Sequence, residues 1–267
     1  MEISLITFNV SADFLSPPNV PPWDERKALC AHALRQAQPS IIGLQEAMPR
    51  QCGFFQSQLP EFSALTVQET TADETLLQPL RQHYGLQTIP TPYEVVLLFR
   101  TLEFDKIAEG YWWLSPTPDR LSVGFGNIAP RIVLWAQLRH RASGREFIVF
   151  NTHLDLRCTS PMVELCREKV AAFTQPGRPL IFMGDFNFTP AQEEYTRLAG
   201  DGWRDSRAAS AEAAEATFMD GRRIDYIFYR SAGLTPQAWA QLLSPDPQRR
   251  LSDHDPVYAR FSVDRFF

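Results

Sequence analysis

Cysteine is scarce: four in 267 residues, at Cys30, Cys52, Cys158 and Cys166, with no C-x-x-C pair. That spacing argues against a zinc knuckle and reads as free thiols of a reducing compartment. The N-terminal stretch lacks a basic segment ahead of a long apolar run, so it does not read as a signal peptide. No run is long and apolar enough to span a bilayer. These absences predict a cytoplasmic protein with no membrane contact. Basic residues are not in excess either: the formal net charge is −5 and the pI is near 5.6. Proteins that grip long nucleic acid usually carry a basic stripe, so the balance weighs against that class. It leaves room for a nuclease, because a metal ion can supply local positive charge. Repeats, coiled-coil heptads and low-complexity tails are also absent, and no obligatory protein partner is evident.

What remains is a chain with 44% hydrophobic residues, enough for a sizeable core. Short apolar strands are expected over 3–10, 41–46, 93–100, 104–113, 131–139, 146–152, 180–185, 224–230 and 256–263. Helices are expected over 24–36, 49–58, 161–173 and 191–198, with Asp24 capping the first and Thr189 and Pro190 opening the last. On the first helix Ala28, Leu29, Ala31, His32 and Leu34 fall on or near the inner side. Residues 93–113 read as a hairpin turning at 101–103, and 131–152 as another turning at 142–144. Residues 62–92 read as a surface region with a short helix, and 208–216 as helical or solvated. Residues 114–130 hold three prolines and two glycines and are too long for a simple turn, as functional loops often are. The alternation predicts two mainly antiparallel sheets packed face to face with helices outside. Residues 1–267 are expected to form a single domain of two similar halves.

The centre of the pattern is Leu180-Ile181-Phe182-Met183-Gly184-Asp185-Phe186-Asn187. Four apolar residues form a buried strand. Gly184 then permits a tight turn or close approach, and Asp185 and Asn187, one residue apart, emerge on one face. Polar strand ends recur. Asn9 ends the first strand and Glu46 the second, Asn151-Thr152-His153-Leu154-Asp155 ends a later one, and Asp225 opens another. Ser252-Asp253-His254-Asp255 precedes the last. If these ends converge, they form one acidic pocket with two histidines. Carboxylate and amide oxygens suit a hard ion, Mg²⁺ before Mn²⁺ or zinc. A metal and a cationic histidine beside a carboxylate fit in-line attack of water on phosphorus.

Thr7-Phe8-Asn9-Val10, Leu44-Gln45-Glu46-Ala47, Asn151-Thr152-His153-Leu154, Gly184-Asp185-Phe186-Asn187, Arg223-Ile224-Asp225-Tyr226 and Ser252-Asp253-His254-Asp255-Pro256 resemble the endonuclease/exonuclease/phosphatase superfamily. The motifs stand in that family's order and span nearly the whole chain. Tyr111-Trp112-Trp113-Leu114-Ser115-Pro116 and Pro130 to Trp135 are similar to compact bacterial members near the deadenylase and nocturnin branch. The resemblance implies an α/β (α+β) four-layer αββα sandwich and Mg²⁺-dependent phosphoester hydrolysis, with Mn²⁺ as the alternative ion. It makes Glu46 the principal metal ligand with Asn9 beside it, and Asp253 a further metal-side carboxylate. Asp185 orients or deprotonates the attacking water and Asn187 helps hold it. His254, partnered by Asp225, stabilises the transition state, and His153 touches the phosphate. Arg131 is a phosphate clamp and Asn151 a substrate-binding residue. Glu94 matches an acidic position in related bacterial sequences. The stretch 217–225 is shorter than in many relatives, which puts part of the substrate wall in question.

The acidic balance favours a small phosphorylated metabolite or a short nucleotide, monoester or diester, over long duplex DNA. The alternative is a single-strand nuclease, a deadenylase or a DNA-repair-type endonuclease. Tyr111, Trp112, Trp113 and Phe125 either stack a base or plug a sheet edge. A non-catalytic module is disfavoured, since Glu46, Asp185 and His254 are all present.

Overall fold

The computed structural model describes residues 2–264 except 16, 70–72, 89–93, 201, 211–215, 231–232, 245 and 247–248. Expectations placed on 70–72, on 89–93 with the Tyr93 strand start, and on 211–215 lie outside the described residues.

Two six-stranded sheets pack face to face. The first runs β11-β12-β1-β2-β4-β3, from β1 (Glu2–Asn9), β2 (Ile41–Ala47), β3 (Phe62–Gln68), β4 (Glu94–Arg100), β11 (Leu234–Gln241) and β12 (Val257–Val263). The second runs β5-β6-β7-β8-β10-β9, from β5 (Phe104–Trp113), β6 (Ile132–His140), β7 (Glu146–His153), β8 (Leu180–Asp185), β9 (Trp203–Asp205) and β10 (Asp225–Arg230). Helices α1 (Trp23–Ala37) and α2 (Pro49–Gln58) cover the first sheet, and α4 (Ser160–Ala171) and α5 (Glu193–Ala199) the second; α3 (Glu74–Tyr84) lies near one end.

The central strands are buried on both faces, and residue parity decides which core each side chain joins. Ile3 and Leu5 of β1 meet Val149 of β7 and Ile181 and Met183 of β8 between the sheets. Ile6 and Phe8 turn the other way, onto Leu34 of α1 and Phe55 of α2. Leu180 and Phe182 pack against Met162 and Val170 of α4. Each such side chain fully buried contributes roughly 1.5–3 kcal/mol. α1 buries Trp23, Arg26, Cys30, Ala31 and Leu34, while Ala28 and His32 face solvent.

Several elements depart from the sequence reading. The expected hairpin over 93–113 does not form: β4 pairs with β2 and β3, whereas β5 pairs with β6 in the other sheet. The 101–103 turn therefore carries the chain between sheets. β3, β9 and β11 were not anticipated, being short, polar-faced or, in β11, interrupted by Pro236. Pro236 sits at a bulge of an edge strand, where a missing N–H is tolerated. α1 is capped by Pro22, with Asp24 in its first turn, and α5 by Gln192. Thr189 instead holds Gln192 Oε1 through its N–H at 2.7 Å. All four cysteines are free.

Candidate active site

Each sheet contains one parallel pair, β1–β2 and β7–β8, at its centre. Parallel neighbours end on the same side, so the carboxyl ends of both pairs lie along one edge of the sandwich. They deliver Asn9, Glu46, His153 and Asp185. The antiparallel strands contribute from their starts: Asp225 opens β10 in register with Asp185, and His254 lies just ahead of β12. Asn9, His153, Asp185 and Asp225 share the parity that points into the seam between the sheets. Glu46 does not. A bulge between Leu44 and Ala47 and a left-handed φ of 56° turn it to that edge, a known use of bulges beside sites. Ser11 and Asn187 are also left-handed, so three such residues cluster at one edge, as strained residues do at functional sites.

Asn9 bridges the sheets, donating from Nδ2 to Glu46 Oε1 at 3.1 Å and to Asp185 Oδ2 at 3.0 Å. Its Oδ1 accepts the Ser11 N–H, so in this arrangement Asn9 is a donor between two acids rather than an open oxygen ligand. Both histidines aim Nε2 at the same oxygen: His254 lies 3.6 Å and His153 3.7 Å from Asp185 Oδ2. His254 Nδ1 is held by Asp225 Oδ2 at 2.9 Å. Arg131 Nη1 donates to His153 Nδ1 at 3.0 Å, which places the ring proton on Nε2. Asn187 donates its N–H to Asp185 Oδ1 and its Nδ2 to the Leu154 carbonyl, leaving Oδ1 for the pocket. Asp253 lines the same pocket. The cavity measures about 430 Å³ and is walled by Pro17, Pro18, His83, Tyr84, Phe218 and Arg222 among others.

Burial pushes Asp185 up to about 7, with Asp225 adding to it and His254 opposing. Burial and then the Asp253 carboxylate raise Glu46. The histidines move in opposite directions. Burial disfavours charge on both, but Asp225 and Asp185 outweigh it at His254 and raise it to about 10. His153, buried and facing Arg131, is held well below its usual value. One imidazole is therefore cationic and the other neutral at pH 7, the separation expected of groups with different roles.

Two predicted substrate contacts are elsewhere. Asn151 lies below the site in the seam, donating to the carbonyls of Leu44 and Val96 and accepting from Gln45. Its odd parity sends it between the sheets, where Gly43 makes room: a Cβ there would sit 2.7 Å from Asn151 Oδ1. Arg131 is 2% exposed and ion-paired with Glu69 and Asp155. It stands behind His153 and does not line the cavity. Nor does any described residue of 114–130 line it; that loop supports Asp155 through the Ile128 N–H. Trp112 and Trp113 are core residues at 5% and 8% exposure, so the sheet-plugging alternative holds for both. Glu94 is buried beside Cys52.

Residues 6–254 match the family model described as Endonuclease/Exonuclease/phosphatase family. The chain belongs to this family. Members of this family are phosphoester hydrolases. A Bacteroides vulgatus endonuclease/exonuclease/phosphatase structure is similar to it, with TM-score 0.83 and 23% identity over 99% of this chain and 100% of that one. So is the Bacteroides thetaiotaomicron mannosyl-6-phosphatase, with TM-score 0.81 and 23% identity over 98% and 100%. Drosophila melanogaster Nocturnin is 26% identical over 215 residues, 74% of this chain and 31% of that protein. The curated relatives are longer, and the chain spans 59% of another that it matches.

Within this endonuclease/exonuclease/phosphatase site, the sequence reading missed Glu69, Tyr84, Phe218 and Arg222. Glu69 follows β3, so the strand-end rule would have found it had β3 been read. Burial raises Glu69 to about 8 despite Arg131. Phe218 packs on the His254 ring with centroids 4.6 Å apart. Family members are generally divalent-metal dependent, and the donor set fits a hard cation. Glu46, Asp185 and Asp253 face one cavity, and Glu46 is raised by burial and then by the Asp253 carboxylate, a repulsion that a cation would relieve. Both imidazoles have Nδ1 engaged and Nε2 protonated, which removes them as ligands and disfavours zinc. Asp185, Asp225 and His254 also offer atoms within 4.8 Å of one another. There, however, Asp225 holds His254 Nδ1 at 2.9 Å, so the carboxylate is engaged in orienting the imidazole rather than open to a cation.

Proposed function

We propose that the whole chain, 1–267, acts as a single catalytic domain that hydrolyses a phosphomonoester or phosphodiester of a small phosphorylated metabolite or nucleotide, with Mg²⁺ as cofactor, in the cytoplasm. The observation that carries this reading is the convergence of Asn9, His153 and His254 on Asp185 Oδ2. Glu46 is the first ligand for the cation, with Asp253 on the same side. A bound divalent cation neutralises phosphoryl charge and acidifies water. Asp185, near 7, is matched to accepting the water's proton at neutral pH, while Asn187 Oδ1 accepts the water's other hydrogen. His254 Nε2–H donates to a non-bridging oxygen where negative charge grows, and Asp225 keeps that imidazole charged and oriented. Neutral His153 adds a second Nε2–H, held in that tautomer by Arg131.

The test is Mg²⁺-dependent turnover across sugar phosphates, nucleotides, dinucleotides, single-stranded RNA, poly(A) and an abasic duplex, with Asp185→Ala as control. Free phosphate from a small molecule, lost in Asp185→Ala, is the expected result. Shortened oligonucleotides would move the reading to a nuclease or deadenylase. Turnover in Asp185→Ala at the wild-type rate would overturn the mechanism.

A further inference from the structure

A second cavity, of about 440 Å³, adjoins the first and is lined by Thr189, Pro190, Ala191, Arg207, Gly221, Arg222 and Arg223. Three arginines on one wall are unexpected in a chain of net charge −5. Their engagements differ. Arg223 donates to Asp205 and lies over the Tyr226 ring, so its guanidinium is held by the fold. Arg222 lines both cavities, and its side chain is 43% exposed. It donates only Nε to Asp220, at 2.7 Å. Among the described residues its two Nη groups meet no acceptor.

The position of Arg222 is nevertheless set. Its guanidinium carbon lies 5.2 Å from the Phe218 ring centroid, and that ring lies 4.6 Å from the His254 ring. The guanidinium is thus within about 10 Å of the imidazole. The Thr217 and Phe218 N–H groups both donate to the Arg222 carbonyl, and the Gly221 N–H closes the turn onto Phe218. Thr217 Oγ1 accepts from Ile224 and Asp225, which ties the turn to the residue that partners His254. The short stretch 217–225 is therefore a rigid wall carrying one cation toward solvent. An arginine stacked on an aromatic ring with its Nη fork open is suited to bidentate recognition of phosphate.

We propose that Arg222 forms a second phosphate-binding subsite, so that the preferred substrate is a small molecule bearing two phosphates. One phosphate would sit at Asp185 and His254 and the other at Arg222, separated by a sugar-sized spacer. This rests on the phosphoesterase reading above and narrows its substrate class to bisphosphates.

The test uses the full chain with Mg²⁺ and the Asp185→Asn background, so that affinity is read without turnover. Calorimetry compares glucose 1,6-bisphosphate with glucose 6-phosphate, and adenosine 3′,5′-bisphosphate with adenosine 5′-monophosphate. The two pairs distinguish a sugar spacer from a nucleoside. In at least one pair the bisphosphate binds roughly tenfold more tightly, the value of one charge-assisted hydrogen-bonded contact. Adding Arg222→Gln removes most of that ratio. Arg139→Gln, which deletes the same charge from an exposed pair with Glu146, leaves it in place. Equal affinities, no measurable binding, or a ratio that survives Arg222→Gln overturns the subsite. Failure of the wild-type chain to hydrolyse any phosphoester would instead overturn the catalytic reading, while the binding ratio still decides the subsite.

Discussion

Asp185 sits at the end of β8 with its carboxylate facing Asn9, His153 and His254, and burial holds its proton until about pH 7. In the unfolded chain that proton leaves near 3.8. Between those values the folded state alone keeps it, so stability falls as pH rises toward 7, by a few kcal/mol in all. Asp185→Asn should therefore raise the melting temperature of the metal-free protein at pH 8 and not at pH 3, while activity falls by orders of magnitude. Thermal scans at the two pH values check it, and a loss of stability at pH 8 counts against the burial argument. His254 has the opposite linkage. Its folded value, raised to about 10 by Asp225 and Asp185 against burial, keeps it charged through neutrality. Stability from this group is full below its ordinary value near 6.5 and is lost as pH rises through about 10. Asp225→Asn removes the nearest carboxylate, so the alkaline limb of kcat/KM should move to lower pH. An unmoved limb would assign that limb to another group.

At the scale of elements, the β7–β8 pair is what sets Asp185 beside His153, since the two are in register. Gly184 permits that closeness. Its φ is 151°, and a Cβ there would run into the Thr152 carbonyl oxygen on β7. Gly184→Ala should cost about 3 kcal/mol or more, because either the strand pair separates or the backbone twists. Chemical denaturation measures this, and a change under about 0.5 kcal/mol, typical of a surface site, would mean that the strands yield easily. The same logic explains Glu46. Its strand has the wrong parity for the seam at position 46, and the bulge with its left-handed residue corrects the aim.

Across the whole molecule, the two sheets repeat one plan: a central parallel pair flanked by antiparallel strands. Both pairs open on one edge, so acids from both sheets meet there, and burial followed by repulsion from the Asp253 carboxylate raises Glu46. A divalent cation relieves that repulsion only in the folded state. Saturating Mg²⁺ should raise the melting temperature by several degrees at pH 8, in line with about 2–3 kcal/mol of linkage. The gain should shrink at pH 5, where protons compete for the same oxygens. Glu46→Gln should remove most of it. A Mg²⁺ shift that is equal in Glu46→Gln would place the cation elsewhere. No helix among the described residues is long and apolar enough to cross a membrane.

Strand ends were legible from the sequence because they are local events. An apolar run that stops at Asn9, Glu46, His153 or Asp185 marks where the chain leaves the core, and the order of those stops already pointed to the family. Which strands pair was not legible. β4 and β5 look like a hairpin because they are adjacent and separated by three polar-ended residues, yet each finds better apolar partners in a different sheet. The roles of Asn151 and Arg131 were hidden for a related reason. A polar residue near a strand end reads alike whether it faces the seam, the pocket or a neighbouring ion pair. Parity and packing put Asn151 across the seam and Arg131 behind His153. Arg222 and Phe218 carry no strand-end signature at all. The place of Phe218 on His254, and of Arg222 on Phe218, arises only when the 217–225 turn folds back onto the loop before β12. Sequence by itself determined the chemistry available at the edge, since residue type is local. Tertiary structure decided which of those groups face one another, because long-range pairing and side-chain direction belong to the folded sheets.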